Sequence, residues 1–178
     1  EILVADDDST DGTAGIAQSL GARVVRSGKR QIAATRNAGG RAVLAPFLVF
    51  VDADTRINWP LLSDVLQALK DGKTCGGGAI CRMDNGHWDA HLALACWSAA
   101  SRLLKWAAGS FVFCRRDAFE MVGGFDETLY ASEEIDFSKR IARWGRPRGM
   151  RFRILTKHPY VSSARRARLY SRSELART

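Results

Sequence analysis

Short apolar runs alternate with amphipathic segments over the first 70 residues of the chain. The clearest run, residues 47–51, is rich in Val and Phe and too short for a helix, which indicates a strand buried on both faces. The predicted strands are residues 1–5, 22–26 and 47–51, and the predicted helices between and after them are residues 13–20, 31–44 and 59–69. Three strand–helix alternations predict an α/β fold with a mostly parallel central sheet and crossover helices.

The pattern changes in the second half. A predicted strand over residues 74–82 contains three consecutive glycines, where backbone can approach a strand or a ligand closely. Residues 88–106 predict a helix with a Trp-rich stripe. Such a stripe is typical of core packing, and the alternative is a shallow membrane contact. The remaining predicted strands are residues 109–114, 151–155 and 160–162, and the remaining predicted helices are residues 116–122 and 133–144.

Two aspartates, Asp52 and Asp54, directly follow the third predicted strand. Ligands of open α/β sheets bind beyond the carboxyl ends of the strands. Two carboxylates this close repel each other unless a cation or a proton lies between them. Mg²⁺ and Mn²⁺ are held by one or two carboxylates together with substrate phosphates. The pair either binds such an ion or merely ends a strand, because D-x-D alone is a short and common string.

Two further acidic clusters accompany this pair. They are Asp6 and Asp7 after the first predicted strand, and Glu133, Glu134 and Asp136 at the start of a predicted helix. Carboxyl ends of parallel strands share one edge of a sheet, so we expect the first cluster to lie near the D-x-D pair. Acids at a helix N-terminus are favoured by the macrodipole alone. The alternative is that the glycine turn at residues 123–127 brings this helix over the site.

Charge is distributed unevenly along the chain. The 178 residues carry a net charge of +8, yet residues 139–178 hold thirteen Lys and Arg against one acid, whereas residues 1–138 are net negative. A basic end suits a phosphorylated substrate, an anionic membrane surface, nucleic acid or simple solvation. Nucleic-acid binding requires exposed aromatic residues among the basic ones, and here the aromatics fall on predicted core positions. We therefore expect no nucleic-acid partner.

Cysteine usage and hydropathy suggest where the protein works. The four cysteines form no C-x-x-C pair and have no histidine at zinc spacing, which favours reduced, buried thiols and a cytoplasmic location. No segment reaches the about 18 uninterrupted apolar residues of a membrane span. With the basic end, this predicts a protein that is at most peripheral, at the inner face of a membrane.

Four motifs follow one another along the chain: VADDDSTDGT at residues 4–13, RNAG at 36–39, FVDAD at 50–54, and GGFDE at 123–127 followed by SEEIDFSKR at 132–140. In this order they resemble the motifs of family-2-type inverting glycosyltransferases with the GT-A fold. The resemblance covers residues 1 to about 145. It departs at Asp8, where the family has glycine, and at Glu134, where it has aspartate. It implies a Rossmann-like three-layer sandwich, and a sugar transferred from a nucleotide-diphosphate donor to an acceptor hydroxyl with inversion, assisted by Mn²⁺ or Mg²⁺.

The resemblance also implies roles for individual residues. The nucleotide site comprises Asp6, Asp7, Arg36 and Asp52, the metal site comprises Asp54 and Asp52, and candidate diphosphate contacts are Arg165, Arg166 and Arg168. Within the nucleotide site, Asp7 is expected to hydrogen-bond the base. An acceptor hydroxyl needs a general base, for which Glu134 is the first choice and Glu133 and Asp136 are the rivals.

The family generally begins one strand and one helix earlier, so the resemblance implies a chain truncated at its start. It implies a single domain with a nucleotide-binding half (residues 1–72), an acceptor-binding half (73–160) and a basic tail (161–178). The expected partners are a UDP- or GDP-sugar and an acceptor saccharide or polyprenyl-phosphate in cell envelope polysaccharide synthesis, with a homodimer if exposed strand edges pair. The rival interpretations are an inactive fragment that keeps the fold, and a nucleotidyltransferase, for which the acidic first loop has the wrong charge.

Overall fold

A computed structural model of the protein describes residues 1–83, 107 and 110–163. The helix predicted over residues 88–106 lies outside the described residues, as do Arg165, Arg166 and Arg168. None of the helices within the described ranges is long and apolar enough to cross a membrane.

Seven strands and five α-helices make up the described chain, and most lie where the apolar pattern predicts them. The strands are β1 (Leu3–Asp6), β2 (Arg23–Arg26), β3 (Phe47–Val51), β4 (Thr55–Arg56), β5 (Thr74–Met83), β6 (Phe111–Arg115) and β7 (Arg151–Ser162). The helices are α1 (Thr13–Ser19), α2 (Ile32–Ala42), α3 (Trp59–Lys70), α4 (Arg116–Met121) and α5 (Glu133–Gly145), with a 3₁₀ turn at Arg146–Arg148.

The strands form two sheets, and the larger one is mixed. β1 and β2 pair in parallel, and a five-stranded sheet has the order β3-β6-β5-β7-β4. Within it β5 and β7 are parallel, whereas β6 runs antiparallel to both of its neighbours and β4 runs antiparallel to β7. The α/β class is confirmed, but the larger sheet is not mostly parallel. The strand–helix alternation that predicted parallel pairing ends at α3. The later strand β6 runs in the opposite direction to its neighbours β3 and β5.

Helix α2 joins the two sheets on one face. Its Gly39 lies so close to β1 that an added Cβ would be 3.4 Å from the Cβ of Ala5. Its Ala33 belongs to the same buried cluster as Leu48 of β3. Among the described residues β1 pairs only with β2 and β3 only with β6, so each has one open edge. Asp6 and Asp52 therefore lie on different sheets, which contradicts the expectation that one parallel sheet brings them to a shared edge.

Helices cover both faces of the larger sheet, as a three-layer sandwich requires. Alternate residues of β6 face opposite sides: Cys114 packs in the cluster with Phe119 and Phe137 of α4 and α5, whereas Phe113 packs in the cluster with Leu69 of α3. This alternation is the period of two expected of a central strand. The helices α4 and α5 thereby bring the glycine turn and the acidic cluster to one end of the sheet.

The glycine run of β5 explains how three strands pack so closely. A Cβ at Gly77 would lie 2.0 Å from the carbonyl oxygen of Arg153, and one at Gly76 would lie 2.8 Å from that of Phe113. Since real Cβ atoms do not approach backbone oxygens so closely, these positions require glycine. The close backbone approach predicted from the sequence is thus an approach between strands.

Candidate nucleotide and catalytic site

A buried arginine joins three of the sequence motifs. Arg36 of α2 is 9% exposed. Its Nη2 donates to Oδ1 of Asp52 at 2.8 Å, and its Nη1 donates to Oε1 of Glu133 at 2.7 Å. Asp52 directly follows β3, and Glu133 is the first residue of α5. We call these three residues the Arg36 triad.

The triad consists of ion pairs in a largely buried position, where an unpaired charge would be destabilising. The Glu133 side chain is 6% exposed and that of Asp52 is 31% exposed. A buried ion is tolerated only with a well-placed partner and additional hydrogen bonds. The planar guanidinium supplies both, because its two terminal nitrogens reach different carboxylates. The guanidinium carbon also lies 5.4 Å from the ring centroid of Phe125, which limits its movement.

Glu134 follows Glu133 in the chain, and its carboxyl has a raised pKa. Burial raises its pKa above the ordinary 4.5, and the charges of Glu133 and Asp52 add to this effect, while Arg36 opposes it. The carboxylate is therefore a stronger base than an exposed glutamate. Its backbone carbonyl accepts the hydroxyl of Ser138 at 2.7 Å, one turn further along α5.

The third acid of the cluster is engaged with the glycine turn. Asp136 accepts a hydrogen bond from Nε of Arg140 at 2.6 Å. The same arginine donates through Nη1 to the carbonyl oxygens of Val122 and Gly124, each at 2.7 Å. Asp136 thus holds the arginine that fixes the turn between α4 and the loop that leads to α5.

Asn37 clamps the other side of this turn, and sequence reasoning missed it. Its Nδ2 donates to the carbonyl of Phe125 at 2.8 Å, and its Oδ1 accepts the backbone N–H of Phe125 at 2.7 Å. Nδ2 also lies 3.0 Å from Oε1 of Glu127. Asn37 is 1% exposed. Charge patterns do not select an uncharged amide. The only indication in the sequence was that Asn37 stands next to Arg36 in the RNAG motif.

Asp7 holds the loop between β2 and α2. Its Oδ1 accepts the backbone N–H of Arg30 at 2.8 Å and that of Lys29 at 3.0 Å. Burial by itself would raise the pKa of Asp7, but the hydrogen bonds from Arg30, from the Thr35 hydroxyl and from Lys29 outweigh it and lower the pKa. The preceding Asp6 is 3% exposed, and its Oδ2 is buried without a hydrogen-bond partner in the described part of the chain.

A cavity of about 610 Å³ opens beside Asp7. Its lining includes Asp7, Asp8, Arg30, Gln31, Leu129 and Tyr130. Tyr130 is 90% exposed, and its loop is also held through Glu127, which contacts Lys29 and Gln31. Oε2 of Glu127 lies 3.2 Å from Nζ of Lys29, and its carbonyl accepts the Gln31 amide. Glu127 ends the GGFDE motif, but the motif assigned it no role, and neither charge nor motif gave a reason to select Tyr130 from the sequence.

The D-x-D segment forms a tight turn at the open end of β3. The Asp52 N–H donates to the carbonyl of Ser110 at 3.1 Å, and the Asp52 carbonyl accepts the N–H of Thr55 at 2.9 Å. Asp54 is exposed, and its carboxylate has no partner in the described ranges. Those ranges contain no group of three His, Cys, Asp or Glu side chains arranged to hold a metal ion. One or two carboxylates at an open turn nonetheless fit Mg²⁺ or Mn²⁺, which complete their coordination with phosphate oxygens and water.

The structure therefore gathers some predicted site residues and separates others. Arg36, Asp52 and Glu133 are in contact, with Glu134 beside them. Asp7 lines the cavity. Asp54 faces solvent.

The fold and the arrangement of its motifs define the chain as a GT-A-type α/β domain. It resembles the crystal structure of Staphylococcus aureus TarS residues 1–349 in complex with UDP, with a TM-score of 0.69 and 19% identity over 92% of this chain. It also resembles the mannosyltransferase PcManGT from Pyrobaculum calidifontis in complex with GDP-Man and Mn²⁺, with a TM-score of 0.72 and 20% identity over 99% of this chain. The TarS structure with UDP-GlcNAc gives a TM-score of 0.67 and 19% identity over 92% of this chain.

The sequence identifies the family. The profile of glycosyl transferase family 2 matches residues 1–123, and the chain belongs to that family. It spans about half the length of its solved relatives: 51% of the TarS chain with UDP, 50% of the mannosyltransferase and 49% of the TarS chain with UDP-GlcNAc. No curated protein matches the chain by sequence.

Proposed function

We propose that this chain carries the donor site of an inverting, metal-assisted glycosyltransferase, which moves a sugar from a nucleotide diphosphate to an acceptor hydroxyl. The observation that supports this most is the Arg36 triad, because it ties the D-x-D turn to the helix that carries Glu134. Solved relatives are in complex with UDP, UDP-GlcNAc or GDP-Man, so a UDP- or GDP-sugar is the donor class that we propose.

The nucleoside would occupy the cavity beside Asp7. A volume of about 610 Å³ is within the usual range for a small-molecule site. The Asp7 Oδ1 already accepts two backbone hydrogen bonds, and we propose that the same carboxylate accepts a further one from a base N–H. Asp6, with one buried carboxylate oxygen unpartnered, would help to hold the nucleotide, and Asp52 would contact the ribose or the ion.

Asp54, with Asp52, would hold Mn²⁺ or Mg²⁺. When bound, such an ion stabilises the negative charge of the departing diphosphate as a Lewis acid. Asp54 suits this role because its exposed carboxylate has no competing partner in the described part of the chain. Arg165, Arg166 and Arg168 of the basic tail are proposed to add contacts to the diphosphate, since arginine forks match phosphate oxygens.

Glu134 is the proposed general base. It would take the proton of the acceptor hydroxyl while that oxygen attacks the anomeric carbon on the face opposite the diphosphate, which inverts the configuration. Its raised pKa makes it a better proton acceptor than an ordinary carboxylate. The rivals are less suitable, because Glu133 and Asp136 are already bonded to Arg36 and Arg140.

The wider setting is proposed from charge and from the resemblance. Residues 1–72 would bind the donor and residues 73–160 the acceptor, a saccharide or polyprenyl-phosphate of cell envelope polysaccharide synthesis. The basic tail, residues 161–178, would favour peripheral contact with the inner face of the membrane. Within the described residues β1 and β3 each have an open edge, which would favour a homodimer. Vesicles carrying anionic lipid should then retain the protein at physiological salt, and failure to do so would contradict the membrane contact.

Calorimetric titration of UDP and GDP, each with and without Mn²⁺, tests the donor site. We expect one nucleotide to bind wild type in an ion-dependent manner and Asp54→Ala to lose this binding. The matched control is Asp117→Ala. It removes a carboxylate of α4 that is paired with Arg115 at the end of β6. A folded wild type that binds neither nucleotide would contradict the proposal and favour a fragment that keeps the fold without the activity.

A further inference from the structure

The Arg36 triad links residues that are far apart in the chain. Arg36 and Glu133 are separated by 97 positions, and Arg36 and Asp52 by 16. The outer member, Asp52, is half-buried at the proposed donor site, whereas the inner member, Glu133, is almost completely buried. Glu133 therefore cannot reach a substrate directly, although it belongs to the acidic motif.

We infer that Glu133 is a positioning residue which acts through Arg36 to fix the Asp52 carboxylate for the nucleotide and to hold the proposed base on the donor side. This inference rests on the proposed function. It gives the two adjacent glutamates different roles: Glu134 would accept the proton, and Glu133 would orient the site.

The geometry supports action through Arg36. A guanidinium with one nitrogen on Glu133 and another on Asp52 cannot rotate without losing one of two charged hydrogen bonds. Its approach to the Phe125 ring restrains the plane further. Because Arg36 occupies Oδ1 of Asp52, the rotation of that carboxylate is set and Oδ2 is the oxygen left for a ligand.

Charge supports the same conclusion. One arginine between two carboxylates leaves the triad with a net charge of −1, so the end facing the donor site stays acidic. Without Glu133, Arg36 would neutralise Asp52 completely, and the site would attract a divalent ion less strongly. Glu133 thus sets how much negative charge Asp52 can present.

A double-mutant cycle tests the inference on the full chain. The variants are Glu133→Gln, Arg36→Met and the double variant, and the probe is whichever of UDP or GDP binds wild type with Mn²⁺. We expect Glu133→Gln to weaken binding about tenfold or more, because a buried charged hydrogen bond is lost. If Glu133 acts only through Arg36, the double variant should bind as Arg36→Met does, with no multiplication of the two effects.

Stability separates this role from a merely structural one. Arg36→Met leaves the buried Glu133 carboxyl without its partner, whereas Glu133→Gln leaves Arg36 paired with Asp52. The double variant removes both charges of the buried pair, so its melting temperature should rise above that of Arg36→Met by several degrees. Nucleotide binding should stay weak although the double variant is more stable and has the same triad charge of −1 as wild type, because Arg36 no longer orients Asp52. Glu120→Gln, which removes an exposed carboxylate paired with Arg116, is the matched control and should bind as wild type.

Three results would overturn the inference. Glu133→Gln could bind as wild type, the two single effects could multiply in the double variant, or binding could recover together with stability. If Glu133→Gln is unfolded, Glu133→Asp keeps the charge but shortens its reach by one methylene and serves in the same cycle. A wild type that binds neither nucleotide contradicts the proposed function itself, which is a different outcome from a binding site that is indifferent to Glu133.

Discussion

Two acidic regions of this protein carry similar charge but are built differently. In the Arg36 triad, the carboxylates of Asp52 and Glu133 depend on one buried side chain. Beside the cavity, Asp7 depends on backbone N–H groups of an exposed loop. A buried network fails when one member is removed, whereas a carboxylate near solvent is re-solvated by water. Substitutions should therefore have large effects in the first region and small effects in the second.

The largest effect is expected for Arg36→Met. It leaves the Glu133 carboxyl buried without its partner, which should lower the free energy of unfolding by about 3–5 kcal/mol. Urea denaturation of wild type and variant would measure this difference. The control is Arg23→Met, whose ion pair with Glu1 is 50% and 37% exposed and should contribute less than about 1 kcal/mol. Equal losses in the two variants would remove the contrast between buried and exposed charge.

The next largest effect is expected at Gly124, which lies against Asn37 beside the triad. Gly124 has φ +80°, and a Cβ there would lie 2.3 Å from Oδ1 of Asn37. Gly124→Ala should therefore cost about 2–4 kcal/mol, the sum of backbone strain and a disrupted buried hydrogen bond. Gly123 has φ +79° with open space around its Cβ, so Gly123→Ala should cost only the strain, about 1 kcal/mol. Comparing the melting curves of Gly124→Ala and Gly123→Ala separates the cost of backbone strain from the cost of disturbing the Asn37 hydrogen bonds. Similar losses in both would show that the Asn37 contact contributes nothing.

Sequence reasoning succeeded where the signal is local. The bounds of β3 and α3 follow from an apolar run and from Pro60 at the start of a helix. β4 was missed because two residues give no period. β7 was predicted as two strands, since Lys157, His158 and Pro159 interrupt its apolar pattern. It is one strand with an irregularity: β5 advances from Ala79 to Cys81 while its partner advances over five residues, which accommodates the polar segment.

The candidate site was predictable as a set of residues but not as an arrangement. The motifs identified Arg36, Asp52 and Glu133 individually, and no local pattern shows that one guanidinium joins the other two. Pairing across 97 residues depends on how α2 and α5 pack on the sheet, which propensity and periodicity do not encode. Asn37 was missed for the same reason, because its partners are backbone atoms of a distant turn.

Glu134 lies at the border of the buried region, and its pH dependence tests the proposed role. A base must be ionised, so turnover should fall as the pH drops through its raised pKa. Stability should respond in the opposite direction: because the folded state holds the proton more tightly, stability falls as the pH rises from about 4.5 through the folded pKa. Glu134→Gln should abolish both trends and lower turnover about a hundredfold or more.

The test compares variants at two acids of the same helical turn, Glu134 and Asp136. Turnover and urea midpoints of wild type and Glu134→Gln would be followed from pH 4 to pH 8. Asp136→Asn is the partner variant, because it removes an acid of the same cluster that is bonded to Arg140. A normal pH profile of turnover in Glu134→Gln would exclude this residue as the base.

In the exposed region, Asp7→Asn should have a modest effect. Its pKa is lowered, so its contribution to stability is complete above the ordinary 3.8 and disappears as the pH falls through the folded pKa. We expect a loss of about 0.5–1.5 kcal/mol at pH 7 for the weakened loop hydrogen bonds. Asp8→Asn is the neighbouring control, because its ion pair with Arg30 is 55% and 78% exposed and should contribute less than about 0.5 kcal/mol. A loss that is the same at every pH, instead of shrinking as the carboxylate is protonated in wild type, would argue against the carboxylate as its source.

The smallest effect on stability is expected at Tyr130, which makes it the cleanest probe of the cavity. A side chain that is 90% exposed buries almost nothing, so Tyr130→Ala should leave the melting temperature unchanged. If the base of the nucleotide lies in the cavity, the ring can stack on it, and its loss should weaken binding of UDP or GDP about fivefold or more. Tyr130→Phe keeps the ring and should bind as wild type. Binding of inorganic pyrophosphate with Mn²⁺ should be the same in all three proteins, because it has no base. A parallel loss of pyrophosphate binding would mean that the Leu129–Tyr130 wall serves the diphosphate instead, and no change with either ligand would place the nucleoside outside this cavity.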